Sequence, residues 1–167
     1  GIVAEVLGNL FEPSDAPEIA ARIKRRFIEL VGDYLRKRPA AAEPIAGAAE
    51  LLERLAATEG VAVAIATGGW RETAEIKLAH AGINTDGIAL ATSSEAHARI
   101  DIMKLAEKMT RIAHFDCRTY FGDGPWDLEA STELGYAFIG VGANVEHTVV
   151  VEDFSDADRV LSLLGKN

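Results

Sequence analysis

Cysteine is almost missing from this chain. Cys117 stands alone, so no internal disulfide can form and a thiolate metal site is excluded. Long apolar runs are missing too: nowhere do about 18 apolar residues follow one another, as a membrane-spanning helix requires. No basic start with an apolar middle marks a secretory leader, so a cytoplasmic protein with no membrane partner is the expectation. Positive charge is scarce. Seventeen Lys and Arg stand against 26 Asp and Glu, a formal net charge of -9. A surface of that sign repels a phosphate backbone, which argues against nucleic acid as a partner.

The deficit is uneven. Between Ala16 and Arg38 seven basic residues face three acidic ones, a net +4 that leaves −13 for the rest of the chain. Such a strip gathers anionic ligands over a cleft, or is simply a wet helix face. Hydrophobic residues make up 49% and charged residues 26%, the balance of an ordinary globule. A chain of this length is expected to fold as one domain, burying roughly 68–70% of its unfolded surface. Oligomeric state is left open.

Strand-like and helix-like stretches alternate. Ile2–Val6 is a short apolar segment. From Pro17 to Arg38, Ile19, Ile23, Phe27, Leu30, Val31, Tyr34 and Leu35 recur at helical spacing, with Ser14 or Asp15 as cap and Pro39 as stop. Glu43–Glu59 reads as a second helix. Val61–Thr67 has the continuous apolar look of a strand buried on both faces, and Gly68-Gly69 leads into a helix over Trp70–Ala81. Further strands are expected at Gly87–Thr92, Arg118–Phe121, Ala137–Val141 and near Val149–Val151. Helices are expected over Ile100–His114, Leu128–Leu134 and Asp156–Leu164. This alternation predicts an α/β fold, a doubly wound and mostly parallel sheet with helices on both faces. Ligands then belong beyond the carboxyl ends of the strands.

The candidate chemistry falls at those ends. In Tyr120-Phe121-Gly122-Asp123-Gly124-Pro125-Trp126-Asp127, a strand delivers two carboxylates to the mouth of a helix, with Pro125 suited to the first helical position. Asp123 and Asp127 lie about one turn apart and point to a hard cation such as Mg2+. The plainer reading gives Asp127 to the helix dipole and leaves Asp123 as a loop acid. Thr67 and the peptide N–H groups of Gly68-Gly69 suit an anion, or form an ordinary strand-to-helix turn. Arg99 stands just before the helix that begins at Ile100. A cation there opposes the dipole, so a phosphate or a carboxylate is its expected partner; Lys104 is the other cation in reach. Trp70 and Trp126 each follow a glycine-containing turn and either wall a cleft for substrate or staple their helices. His80, His97, His114 and His147 lack metal spacing.

Thr67, Arg99 and Gly122-Asp123-x-x-x-Asp127, in this order, resemble motifs two, three and four of the haloacid dehalogenase superfamily, whose members are mostly Mg2+-dependent phosphatases. The resemblance implies a parallel core with the first strand central. It also implies a cap after that strand, here reduced to residues 12–44. In that family the first motif is two aspartates flanking one residue, followed by Gly-Thr. Laid on Ile2–Phe11, it puts Glu5 in the nucleophile's place, Leu7 in that of the acid/base and Asn9 in that of threonine.

The resemblance therefore implies a metal held by Glu5, the Leu7 carbonyl and Asp123 with Asp127 in support, and a phosphate held by Thr67, Gly68 and Arg99, with Trp126 beside the substrate. A small phosphorylated molecule is the implied substrate. Three readings follow. One is a weak phosphate-monoester hydrolase. The second is a pseudo-phosphatase that binds Mg2+ and a phospholigand or serves as an interaction module. The third, a dehalogenase-like enzyme, lacks the second aspartate as Leu7 does but still needs the nucleophile that Glu5 replaces. A receiver-type signalling domain has no place for the long basic helix.

Overall fold

The computed structural model describes residues 15–164. Ile2–Val6, the candidate cap Ser14 and the first-motif positions Glu5 and Leu7 lie outside them. Among the described residues, α1 (Ala16–Lys37) is followed by a 3-10 turn (Pro39–Ala42) and α2 (Ala48–Ala57). Next come β1 (Ala64–Thr67), α3 (Arg71–His80), β2 (Ala89–Thr92) and α4 (Arg99–Met109). The chain continues as β3 (Thr119–Gly122), α5 (Pro125–Leu134), β4 (Ala137–Val141), β5 (Val150–Val151) and α6 (Ala157–Ser162).

Every described strand pairing is parallel, as the alternation predicts. β1 pairs β2 from Ala64↔Ala89 to Thr67↔Thr92, β3 pairs β4 from Thr119↔Ala137 to Gly122↔Gly140, and β4 pairs β5 at Gly140↔Val150. Helices cover both faces. Ile139, Val141 and Val151 pack with Leu51 and Leu55 of α2 and Val160 of α6, and Val63 joins them. Ala66 and Ala91 instead meet Ile102 and Ala106 of α4. Alternate residues of the β1 segment thus look to opposite layers, as the two-residue period of a strand requires.

Three expectations need correction. β1 is shorter than Val61–Thr67 and is not buried on both faces: Ala64 is exposed and Ile65, Ala66 and Thr67 are half-buried. The strand with all five residues buried is β4. β4 has hydrogen-bonded neighbours on both edges and packs with Leu51, Leu55 and Val160, whereas Ala64 and Ala66 of β1 line the cavity between the two sheets. Second, α2 starts at Ala48 rather than Glu43. Pro44 disfavours a helical Glu43, which sits extended at φ -59, ψ 134, and Gly47 takes φ +74 at the N-cap. A side chain on Gly47 would lie 2.2 Å from the Phe154 carbonyl oxygen, so only glycine fits. Third, α4 ends at Met109 rather than His114. The Thr110 hydroxyl donates to the Glu107 carbonyl at 2.7 Å, and Arg111 turns left-handed at φ 60.

Two sheets result among the described strands, β1–β2 and β3–β4–β5. Between them lies a cavity of about 150 Å³ with Ala64 and Ala66 on one wall and Thr119 and Tyr120 on the other. The Tyr120 hydroxyl crosses this seam to donate to the Ala66 carbonyl at 3.3 Å. α1 leans on α3 and its N-cap Trp70, through a Lys24–Glu72 ion pair at 2.9 Å and an edge-to-face contact of Phe27 with Trp70 at 5.5 Å.

Candidate functional site

β1 and β3 both run out at the same end of the molecule, and α4 brings a cation to their tips. Arg99 is the first residue of α4, with Ala98 as N-cap, one place earlier than the apolar pattern suggests. Its Nε lies 3.0 Å from Asp127 Oδ1, with Arg99 a quarter exposed and the Asp127 side chain at 5%. The unfavourable position against the helix dipole is thereby compensated by a carboxylate. Lys104, a turn further on, is exposed. The same guanidinium lies against Gly68, whose Cβ, if present, would sit 3.5 Å from Arg99 Nη2. Residues from three separate loops therefore meet: Gly68 after β1, Arg99 at α4 and Asp127 at α5.

Local chemistry explains the loop after β3. Gly124 caps α5 and Pro125 occupies its first turn, where a missing N–H costs nothing. Asp127 then folds back onto Gly122, where a Cβ would come within 2.5 Å of Asp127 Cβ and 2.9 Å of Oδ2. Glycine there makes room for the carboxylate. Burial pushes the Asp127 carboxyl above its ordinary value; the Arg99 charge and the Asp123 and Gly124 peptides pull it back, and the Asp123 charge adds to the rise. Asp123 itself is exposed at the mouth.

After β1, Thr67 Oγ1 accepts the Gly69 N–H at 3.2 Å, which leaves its own proton free to donate. The Arg71 N–H is already taken by Ser94 Oγ at 3.1 Å, so fewer peptide donors face an anion than the Gly-Gly turn suggests. Trp70 turns to Phe27 beneath α1. Trp126 stays 55% exposed and folds over Gly124, whose Cβ would clash with its ring at 2.4 Å. The histidines stand elsewhere: His80 meets the Pro39 carbonyl, His114 pairs with Asp116, His147 packs on Phe138, and His97 is exposed.

Two residues had no role in the sequence reading. Glu95 accepts from the Thr92 N–H at 2.9 Å, the Thr92 hydroxyl at 2.8 Å and Arg71 Nε at 2.9 Å, tying the end of β2 to the start of α3. The Arg71 guanidinium, followed by the Thr92 donors, holds its carboxyl down at about 2. Tyr120 ends on the Ala66 carbonyl, at the seam of the two sheets. Burial, and next the Asp127 charge, push its hydroxyl up to about 12. Its register was the available signal, because Tyr120 and Gly122 share one face of β3.

Asp123 stands in the loop after β3 and Asp127 in the first turn of α5; of the Asp127 carboxylate it is Oδ1 that faces Arg99, with no hydrogen bond of its own. Mg2+ takes one or two carboxylates and completes its shell with water and phosphate. Among the described residues no group of three or more His, Cys, Asp or Glu gathers to hold an ion. No described helix is long and apolar enough to cross a membrane.

A sequence model of the haloacid dehalogenase-like hydrolases matches residues 3–131 of this chain. A hydrolase from Pseudomonas syringae, known from its crystal structure, is similar in fold, with a TM-score of 0.66 at 21% identity over 95% of this chain and 74% of that one. No curated protein sequence matches.

Proposed function

As the chain belongs to the haloacid dehalogenase-like hydrolases, we propose that its strand-end site binds a small phosphorylated molecule with Mg2+ and hydrolyses the phosphate monoester slowly. One observation carries this reading: the Arg99–Asp127 contact of 3.0 Å, seated against Gly68. It supports a fixed positive charge beside a glycine turn and an exposed acid, the arrangement a phosphate dianion and its counter-cation need.

Each residue then has a part. The Thr67 hydroxyl donates to a phosphate oxygen while its own oxygen stays tied to Gly69. Arg99 faces the anion and is kept from swinging away by Asp127. Asp123 would hold Mg2+ with Asp127 in support, and Glu5 and the Leu7 carbonyl would complete the set. The bound cation supplies charge that offsets the phosphate oxygens. Trp126 offers an apolar surface to the rest of the substrate. Glu5 takes the nucleophile's role, attacking phosphorus to give an acyl phosphate that water hydrolyses. Leu7 has no proton to give the leaving oxygen, which is why turnover is slow. The same features support a second reading, a binding module that keeps the phospholigand and has lost turnover.

Both readings require binding. With Mg2+ present and inorganic phosphate at about ten times its Kd, linkage gives about 1.4 kcal/mol of stabilisation. For a chain of this size that is roughly 3–6 °C in Tm. The expected result is such a shift in the unsubstituted chain and none in Arg99→Ala. An absent shift, or one that survives the loss of Arg99, would contradict the assignment.

A further inference from the structure

The β1–β2 ladder ends on the partners Thr67 and Thr92. Beyond it the two loops part. One runs through Gly68-Gly69 into α3, the other through Ser93–Ala98 to Arg99 at the start of α4. Gly68 and Arg99 nevertheless meet, so links past the strand ends hold the loops together. The Ser93 N–H donates to the Gly69 carbonyl at 3.1 Å. The Arg71 N–H adds a bond to Ser94 Oγ at 3.1 Å, through a hydroxyl on a rotatable side chain. The charged link is the Arg71 side chain, whose Nε donates to Glu95 Oε1 at 2.9 Å while Nη2 reaches the Leu90 carbonyl at 2.8 Å.

Two oxygens fit Glu95 to this role. Oε1 takes Arg71, and Oε2 takes both the Thr92 N–H at 2.9 Å and the Thr92 hydroxyl at 2.8 Å. Thr92 is fully buried, and its hydroxyl accepts the Ser94 N–H at 3.1 Å. The three groups bonded to the carboxylate are all donors, which an acceptor-only group matches. A glutamine would turn its NH2 toward one of them. With the Arg71 and Glu95 side chains 31% and 33% exposed, such a pair adds little to stability. Its larger effect is geometric, since it fastens the start of α3 to the segment that leads to Arg99.

We propose that Glu95 is a positioning residue of the phosphate site: its carboxylate holds Arg71 with one oxygen and Thr92 with the other, and so keeps the Gly68-Gly69 turn and Arg99 at the separation an anion needs. This deepens the phosphate-site reading and rests on it for the identity of the anion. The fastening of the two loops can be tested without any ligand.

The test combines calorimetric titration of inorganic phosphate, with Mg2+ present, and amide hydrogen exchange in the ligand-free chain. Glu95→Gln is expected to weaken phosphate binding about tenfold or more, the worth of a hydrogen bond to a charged group. It is also expected to speed exchange of the Ser93 N–H at least about tenfold, as its contact with Gly69 opens. Glu107→Gln breaks a pair of the same make, with Arg118 at 2.8 Å, and is expected to leave both readings unchanged. Unweakened phosphate binding or unchanged Ser93 exchange in Glu95→Gln would overturn the proposal, as would equal losses in Glu107→Gln. Should Glu95→Gln fail to fold, Arg71→Lys decides. It keeps the charge but cannot hold Glu95 and Leu90 at once, so both changes are expected in smaller measure, and the absence of either would overturn the proposal. Should the unsubstituted chain bind no phosphate, faster Ser93 exchange in Glu95→Gln alone would uphold Glu95 as the fastener of the two loops and sink the phosphate reading.

Discussion

Arg99→Ala is expected to destabilise the fold by roughly 2–3 kcal/mol at neutral pH. The reason is what it leaves behind, an Asp127 carboxylate with a side chain only 5% exposed and no countercharge. Removing one partner of a buried pair typically costs about 3–5 kcal/mol, and the quarter exposure of Arg99 lowers that figure. The sign with pH follows from Asp127. Its folded pKa already lies above the ordinary value through burial, and Arg99 is the strongest group opposing that rise. Without Arg99 it climbs further. A raised folded pKa means that stability is full at low pH and is lost as pH rises through that value. The deficit of Arg99→Ala should therefore be widest at neutral and alkaline pH and shrink on acidification. Adding Asp127→Asn to Arg99→Ala should recover most of the loss. Urea unfolding of the unsubstituted chain, Arg99→Ala, Asp127→Asn and the double variant across pH measures all of this; a double variant as unstable as Arg99→Ala would show that the buried charge is not the cause.

The largest effect on activity is expected from Glu5→Asp combined with Leu7→Asp. Glutamate has the charge of the family nucleophile but one extra methylene, a displacement of roughly 1 Å that costs about 10²-fold. Restoring the acid/base adds about 10²–10⁴. Together the two changes should raise turnover of an aryl phosphate with Mg2+ on the order of 10⁴–10⁶-fold, which is about 5–8 kcal/mol of barrier. Leu7→Asp alone should gain much less, since a proton donor is of little use to a misplaced nucleophile. Unchanged activity in the double variant, with phosphate still bound, would show that the first motif does not fall on Ile2–Phe11.

Much of this was legible in the sequence, for identifiable reasons. Proline at 39 and 125 and glycine at 82 and 135 punctuate helices through local sterics, so α1 and α3 were readable within a residue and α5 to its last residue, its start lying three residues before Leu128. The misplaced dipole charge at Arg99 announced that it needed a partner. That the partner is Asp127, 28 positions on, is a tertiary fact with no local signature. Tyr120 offered only its shared strand face with Gly122; that its hydroxyl spans two sheets to reach Ala66 is again a tertiary fact. The burial of β1 was misjudged because an apolar run reports composition, whereas exposure is set by what packs against the strand in the fold. Gly47 was overlooked because its need for φ +74 arises from the Phe154 backbone lying across it.

In the proposed function one small cation seat is shared by the loops after β1 and β3 and by the opening segment. Mn2+, a hard oxygen-seeking stand-in for Mg2+, tests this directly through paramagnetic broadening of backbone amide signals. Selective loss is expected at Glu5 and Leu7 together with Gly68, Asp123 and Gly124. Broadening that spares Glu5 and Leu7, or that centres on another acidic stretch such as Asp153–Asp158, would contradict it.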